Sequence, residues 1–331
     1  MGIRDASDNL GGTLVWGPLL SATTMKYLES GKLRDQVHNR SEFWKWIRAK
    51  NRLKVLTGGE RIKLPMMHQG SGNFKRYSGS EVLDPTGYEG ITNAFFDWKQ
   101  AATTVLINGL EKRSNQGESR IRDLLKDKIM QAEATLGDNL ATDAFSDGQA
   151  DGSKQTTGLA AMIATTNDSG TYANINFGNN DKWRNQVAAG VGNPAANLLS
   201  NVRTLYNDCL KIAGVEGQPD AIFTTQTLAE TLEALVVPAI RYSGGEEADL
   251  SARPKYRGAS IMWDPKCQSG IGYVLNSNHI FAFSHRDANF TMPESGLQNP
   301  VNQDAFIAPI LWQGNMATNL RAGLGKWTGA T

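Results

Sequence analysis

Residues 118–145, ESRIRDLLKDKIMQAEATLGDNLATDAF, constrain the fold more than any other stretch of the chain. Apolar side chains recur at Ile121, Leu125, Ile129, Ala132, Leu136, Leu140 and Ala144. Steps of three and four place them on one stripe of an α-helix. Asn115 followed by Glu118 has the form of a capping box, with Asn in the Ser/Thr position. Such a helix is about 40 Å long, well over twice the usual length. Gly137 inside it marks a bend or a break. A helix of this length, flanked in sequence by strand-like segments, predicts a spine on which a sheet lies.

The segment before the spine is read in three parts. Ser41 is the expected N-cap of an amphipathic helix reaching Leu56, with Phe43, Trp46, Ile47 and Leu53 on one face. Residues 32–63 carry ten Lys/Arg against Asp35, Glu42 and Glu60, a basic run that suits either a solvated face or a nucleic-acid contact. In residues 57–90, Ile62, Leu64 and Met66 alternate like a strand, and Pro65 keeps that strand out of a sheet centre. Gly70, Ser71 and Gly72 signal a turn, and Phe74 and Tyr77 follow in a second extended run. This predicts a long, thin hairpin with little core, which is marginal alone in water and must rest on something else. Residues 95–108 read as one strand or two, with Phe96, Trp98, Ala102, Thr104 and Leu106 on one face.

From about Gln186 the pattern becomes α/β. Asn193 and Pro194 open a helix with its stripe at Leu198, Val202, Leu205, Cys209 and Ile212, and Gly214 stops it. Residues 220–224, DAIFT, read as a buried strand. Thr227 with Glu230 predicts a capped helix ended by Pro238. Strands are expected at 256–263, 271–275 and 280–283. Residues 305–313 and 316–324 read as a terminal hairpin turning at Gly314 and Asn315, with Pro309 bulging the first strand or placing it at an edge.

Global charge excludes little. Lys+Arg is 34 and Asp+Glu is 33, a net charge of +1 that demands no polyanionic partner. Two cysteines, Cys209 and Cys267, are too few for a disulfide framework and suit a reducing compartment. No apolar run is long enough for a membrane span, and no membrane partner is expected.

No catalytic residue, cofactor-binding residue or metal ligand is assigned. His38, His68, His279 and His285 form neither an HExxH motif nor a Cys/His spacing. No GxSxG elbow occurs. The glycines at 190 and 192 imitate a dinucleotide fingerprint without a preceding strand, and read as a helix-entry loop. Catalytic groups that converge from distant positions leave an enzyme open as the competing class.

The segments occur in a telling order. A β-rich stretch with a long hairpin precedes the spine, which runs into DAFSDG and then GLAAMI. PDAIFTTQTLAETL, YRGASIMWDP and IGYVLNSNHIFAF follow, and AFIAPILWQGNMATNLRAGLGKW closes the chain. From about Thr57 onward this resembles the major capsid proteins of tailed bacteriophages with the Hong Kong 97-type fold. The resemblance implies an α+β fold with an N-terminal arm and basic helix at 1–57 and an extended loop at 58–90. It places a peripheral domain with the spine at 91–185 and 287–331, and an axial domain at 186–286. A permuted strand order stays open.

By the same resemblance the chain assembles with itself into pentamers and hexamers of an icosahedral shell around double-stranded DNA. The chain lacks the long, charged, helical N-terminal extension that serves some family members as a built-in scaffold. A separate scaffolding protein is therefore expected, with a portal and a decoration protein as further partners. The setting would be the virion, assembled in the bacterial host cytoplasm. Arg61, Lys63, Lys75 and Arg76 on the hairpin are the candidate intersubunit contacts. An encapsulin-like compartment shell, a cytoplasmic α/β enzyme and a nucleic-acid-binding module are the competing readings.

Overall fold

Ser41 begins the first helix as its composition demands. The computed structural model describes residues 41–67, 70, 72–83, 86–87, 89–114, 124–242, 254–292, 298–300 and 303–330. The capping box expected at Asn115 and Glu118 lies outside these residues. Helix α1 (Glu42–Ala49) follows Ser41, whose Oγ accepts from Trp44 N at 3.4 Å. Phe43, Trp46 and Ile47 are buried on its inner stripe, while Lys45 and Arg48 face solvent. The expected continuation to Leu56 is corrected: the helix ends at Ala49, and Asn51 takes a left-handed φ of 54°. Residues Leu53–Leu56 then form strand β1.

Strand β2 (Ile62–Met67) pairs antiparallel with β3 (Ile91–Phe96), in register from Ile62↔Phe96 to Met67↔Ile91. The Phe74–Tyr77 run is therefore not the return strand of the ribbon. Its return strand lies beyond Gly90, and residues between the two strands include turns and irregular backbone. Pro65 sits opposite Asn93 in this two-stranded ribbon, where every strand is an edge. Strand β4 (Lys99–Asn108) buries Val105 and Ile107 and turns Ala102, Thr104 and Leu106 outward. Period two is right, and the face shared by Ala102, Thr104 and Leu106 is the solvent face.

Helix α2 (Gly109–Ser114) precedes the spine helix α3, described over Leu124–Asp143. Gly137 does not break it: an added Cβ there would meet nothing within 4 Å, and the helix runs through. Short helix α4 (Leu159–Met162) and strands β5 (Thr171–Tyr172), β6 (Ile175–Asn176) and β7 (Gln186–Ala188) follow. Helix α5 (Pro194–Ala213) starts as expected, with Asn193 Oδ1 accepting from Ala195 N at 3.1 Å, and ends at Gly214. After β8 (Ala221–Thr224), all four residues buried, comes α6 (Gln226–Tyr242). This helix starts before Thr227, so Thr227 is not its cap, and its backbone continues past Pro238. A proline costs one helical hydrogen bond and about 3 kcal/mol, which the packing of Leu228, Leu232 and Val236 offsets.

The remaining strands are β9 (Lys255–Tyr256), β10 (Ala259–Trp263), β11 (Gly272–Leu275), β12 (Ile280–Thr291), β13 (Ala305–Thr318) and β14 (Gly325–Trp327). The expected terminal hairpin is corrected. Gly314 and Asn315 are not a turn but lie inside one strand, opposite Ser284 and Phe283 of β12. Gly314 is there because the chain passes close to its neighbours: a Cβ would lie 2.6 Å from the Trp312 ring and nearer still to Phe283 O. Pro309 lies in the part of β13 before its register with β12 begins at Leu311.

Two sheets organise these strands. One has the order β1-β12-β13-β4, with β1 parallel to β12 and β12 antiparallel to β13. The other has the order β7-β14-β11-β8-β10-β9, in which α6 is the crossover between parallel β8 and β10. Strand β14 thus joins the sheet built mainly from residues 186–275.

The described residues fall into two compact units. The larger lies within 39–101, 136–291 and 311–331. One of its cores is aromatic: Phe43 packs on Phe145 and Phe223 with ring centroids 5.5 Å apart in both pairs, and Trp46 on Phe223 at 5.4 Å. Such pairs add about 0.5–1.5 kcal/mol each beyond area burial. A second core gathers Leu198, Val202 and Leu205 of α5 with Leu232, Ile261 and Trp327.

The smaller unit lies within 102–135 and 292–310. There Lys128 Nζ lies 2.6 Å from Glu111 Oε2 and donates to Leu106 O at 2.8 Å, while Asn108 N donates to the same carboxylate oxygen at 3.1 Å. This buried ion pair occupies backbone groups at the end of β4 as a neighbouring strand would.

Candidate assembly interface

The four cations singled out from the sequence are all exposed and sit at two places on the β2–β3 ribbon. Arg61, at its root, pairs with Asp97 through Nε and Oδ1 at 3.0 Å. Lys63, two residues on, holds its Nζ 5.7 Å from the Phe95 ring centre. Beyond the paired strands, Lys75 meets Glu81 at 2.8 Å, and Arg76 stacks 5.7 Å from the Phe74 ring centre. The structure therefore does not gather the four into one patch. It gives each a partner on its own ribbon. The carboxylates Asp97 and Glu81 were missed by sequence reasoning. The ribbon register would have found Asp97, since Ile62 faces Phe96 and Arg61 is the next residue out.

The root of the ribbon is tied to the larger unit mainly through β3 and the residues after it. Phe95 N donates to Ala173 O at 3.1 Å, Phe96 stacks on Tyr172 at 5.7 Å, and Asp97 O accepts from Asn315 Nδ2 at 2.7 Å. On the β2 side, Gly58 and Gly59 take φ of 151° and 119°, values that glycine tolerates best. Trp98 Nε1 donates to Gly59 O at 2.8 Å. A groove of about 540 Å³ lies at this root, lined by Arg61, Phe96, Lys99, Tyr172, Phe177 and Asn315.

Beyond the root, large apolar side chains stand in solvent. Phe74 is 79% exposed and Val82 86%, with Tyr77, Leu83, Met67 and Ile91 also exposed. Scattered exposed apolar residues are ordinary, whereas six on one thin ribbon are of the kind that interaction surfaces carry.

Elsewhere the titratable groups serve packing. Arg321 is fully buried, donating from Nε to Met162 O at 2.6 Å and stacking 4.2 Å from the Phe177 ring centre. Burial lowers its pKa to about 10. His279 bridges Asn319 Oδ1 at 2.9 Å and Glu216 O at 3.0 Å, and His285 packs edge-on against Trp98 at 5.8 Å. His38 and His68 lie outside the described residues. Burial pushes both Cys209 and Cys267 up to about 12, so neither is a ready nucleophile at neutral pH. Among the described residues no group of three or more His, Cys, Asp and Glu is placed to hold a metal ion. Among the same residues no helix is long and apolar enough to cross a membrane.

No protein-family model matches the chain, and no curated protein matches it. Solved structures do. The capsid asymmetric unit of cyanophage A-1(L) aligns with a TM-score of 0.67 at 15% identity, covering 93% of this chain and 96% of that one. The capsid of Myoviridae phage XM1 aligns with a TM-score of 0.58 at 11% identity, over 96% and 99%.

The fold is the Hong Kong 97-type capsid fold.

The same capsid fold occurs in a holo-encapsulin complex from Synechococcus elongatus, with a TM-score of 0.57 at 10% identity over 100% of this chain and 96% of that one.

Proposed function

We propose that the chain is the major capsid protein of a tailed bacteriophage, a structural protein without catalysis that self-assembles into an icosahedral head around double-stranded DNA. The observation that carries this reading is the ribbon. A chain of capsid fold that projects Phe74, Tyr77 and Val82 into solvent is completed by a second copy. Contacts of this kind are heterologous and close into rings, here pentamers and hexamers. Residues 1–57 act as arm and basic helix, 58–90 as extended loop, 91–185 and 287–331 as peripheral domain, and 186–286 as axial domain. Strand β14 lends the axial sheet one strand from the C-terminal segment. A scaffolding protein, a portal and a decoration protein are the further partners. The working location is the virion, after assembly in the host cytoplasm.

Near-neutral net charge supports dense packing of identical copies, since a strongly basic lattice would repel itself. The encapsulin-type shell is the second reading, supported by the Synechococcus alignment. Enclosed enzyme in place of DNA would select it.

The test is size. Sedimentation velocity and negative-stain microscopy of the chain, alone and with its neighbouring genes, are expected to give rings, tubes or closed shells. A stable monomer or dimer under every condition would overturn the proposal in favour of an α/β enzyme. Reversing Arg61, Lys63, Lys75 and Arg76 to Glu is expected to leave a folded monomer that forms no shells. Normal shells from that variant would remove these residues from the interface.

A further inference from the structure

Among the described residues, the corner formed by α1 and β1 carries more cations than carboxylates to pair with them. Between Glu42 and Leu56 stand Lys45, Arg48, Lys50, Arg52 and Lys54 against one carboxylate, Glu42. Two of the five cations are paired: Lys45 with Glu42 at 3.4 Å and Lys50 with Asp220 at 3.0 Å. Among the described residues, Arg48, Arg52 and Lys54 meet no carboxylate at ion-pair distance. Arg52 and Lys54 share one ring. The Arg52 guanidinium lies 5.8 Å and the Lys54 ammonium 4.7 Å from the centre of Phe281. Arg52 is steadied further by a hydrogen bond to Asn278 Oδ1.

Two like charges beside one ring, with no carboxylate at ion-pair distance among the described residues, repel each other by more than the ring offsets. The cations are also held on rigid elements. The inner stripe of α1 is buried, and β1 is hydrogen-bonded along β12 from Leu53↔Ala282 to Leu56↔His285. The result is a preorganised, outward-directed positive field.

We infer that the α1–β1 corner is a binding surface for the phosphate backbone of double-stranded DNA, with Arg48, Arg52 and Lys54 as its contacts. The inference rests on the capsid reading and names the surface through which the shell meets its contents. A duplex fits better than a folded acidic protein. Specific protein interfaces centre on aromatic or apolar anchors in pockets. This corner offers one exposed large apolar side chain, Val55, beside cations, of which Arg48 and Lys54 are exposed. Sequence-independent phosphate binding needs only spaced cations on a stable frame.

The experiment titrates the full-length protein with a fluorescent 40-base-pair duplex at several NaCl concentrations. Each phosphate contact contributes about 0.9 to the slope of log affinity against log salt. The double variant Arg48→Gln, Lys54→Gln is expected to bind the duplex more weakly, whatever its sequence, with a slope shallower by about 2. A control pair of equal charge change on α5, Arg203→Gln with Lys211→Gln, is expected to keep the wild-type slope.

Equal slopes for the wild type and the corner variant overturn the inference. So does an equal loss in both variants, which would report net charge alone. Polyglutamate is the competing probe. A corner variant that loses polyglutamate but keeps the duplex assigns the surface to an acidic protein and overturns the inference. Particle formation by sedimentation is scored on the same samples. Shells without duplex binding overturn the DNA surface and leave the capsid reading standing. Duplex binding by a protein that never forms particles overturns the capsid reading.

Discussion

Asn315 Nδ2 donates to the backbone carbonyl of Asp97 at 2.7 Å, while its Oδ1 accepts from Thr157 N at 3.0 Å. One buried amide thus joins the middle of β13 to the root of the β2–β3 ribbon and to the loop after the spine. Asn315→Ala leaves both backbone groups without a partner, at about 1–3 kcal/mol each. The expected outcome is a fall of about 3 kcal/mol in unfolding free energy, read from urea denaturation. An unchanged midpoint would mean that the ribbon root is held by other contacts.

Gly314 is required by close approach. Its neighbours are the Phe283 carbonyl and the Trp312 ring, 2.6 Å from where a Cβ would stand. Gly314→Ala is therefore expected to destabilise by more than the usual 1–3 kcal/mol of core overpacking, because one neighbour is backbone. Thermal melting checks this. A residue in a two-residue hairpin turn would pass the same test with a far smaller loss.

Asp264 is the anchor of the first helix. Its Oδ2 accepts from Ser41 Oγ at 2.6 Å and from Phe43 N at 3.1 Å, and its Oδ1 from Lys266 N at 2.9 Å. Ser41→Ala removes an N-cap and is expected to cost about 1 kcal/mol. Asp264→Ala removes the acceptor for all three donors and is expected to cost at least twice as much. Similar losses in the two variants, measured by denaturant titration, would show that Asp264 acts only through Ser41.

Lys326 in β14 makes stability depend on alkaline pH. Burial, with a smaller contribution from the charge of Arg321, lowers its pKa from 10.5 to about 8. Between about 8 and 10.5 the unfolded chain holds this proton and the folded chain does not, so the contribution of Lys326 to stability rises with pH in that window. Below about 8 both states are charged, and the cost of burying the ammonium is fully present. Lys326→Met is expected to be more stable than wild type at pH 7, by on the order of 2 kcal/mol. That advantage should shrink as pH approaches 10.5. The thiols of Cys209 and Cys267, pushed up to about 12, weaken both proteins at high pH and cancel in the difference. A gap in melting temperature that stays constant from pH 7 to 10 would refute the assignment.

The helices were the most legible part of the chain, because their signals are local. Ser41 caps α1, Asn193 and Pro194 open α5, Gly214 closes it, and the apolar stripe of α3 keeps its period through Gly137. The order of segments was enough for the capsid resemblance, since it depends on which elements occur and not on how they pair. The candidate cations on the ribbon were legible as exposed, but their partners Asp97 and Glu81 were not, because a partner depends on register.

What the sequence determined by itself was the places of α1, α3 and α5 and the presence of a thin β-rich stretch before the spine. Tertiary structure decided the pairings. Gly314 and Asn315 carry the composition of a turn, yet they continue a strand, because β12 supplies backbone partners on one side and no room for a Cβ. Leu53–Leu56 continues a helical pattern, yet it is a strand, because parallel pairing with β12 satisfies its backbone. Pro238 reads as a stop, yet α6 passes it, because Leu228, Leu232 and Val236 are buried against the second core. In each case a local preference of a few kcal/mol met long-range hydrogen bonding and burial that together exceed it, and residues distant in sequence set the outcome.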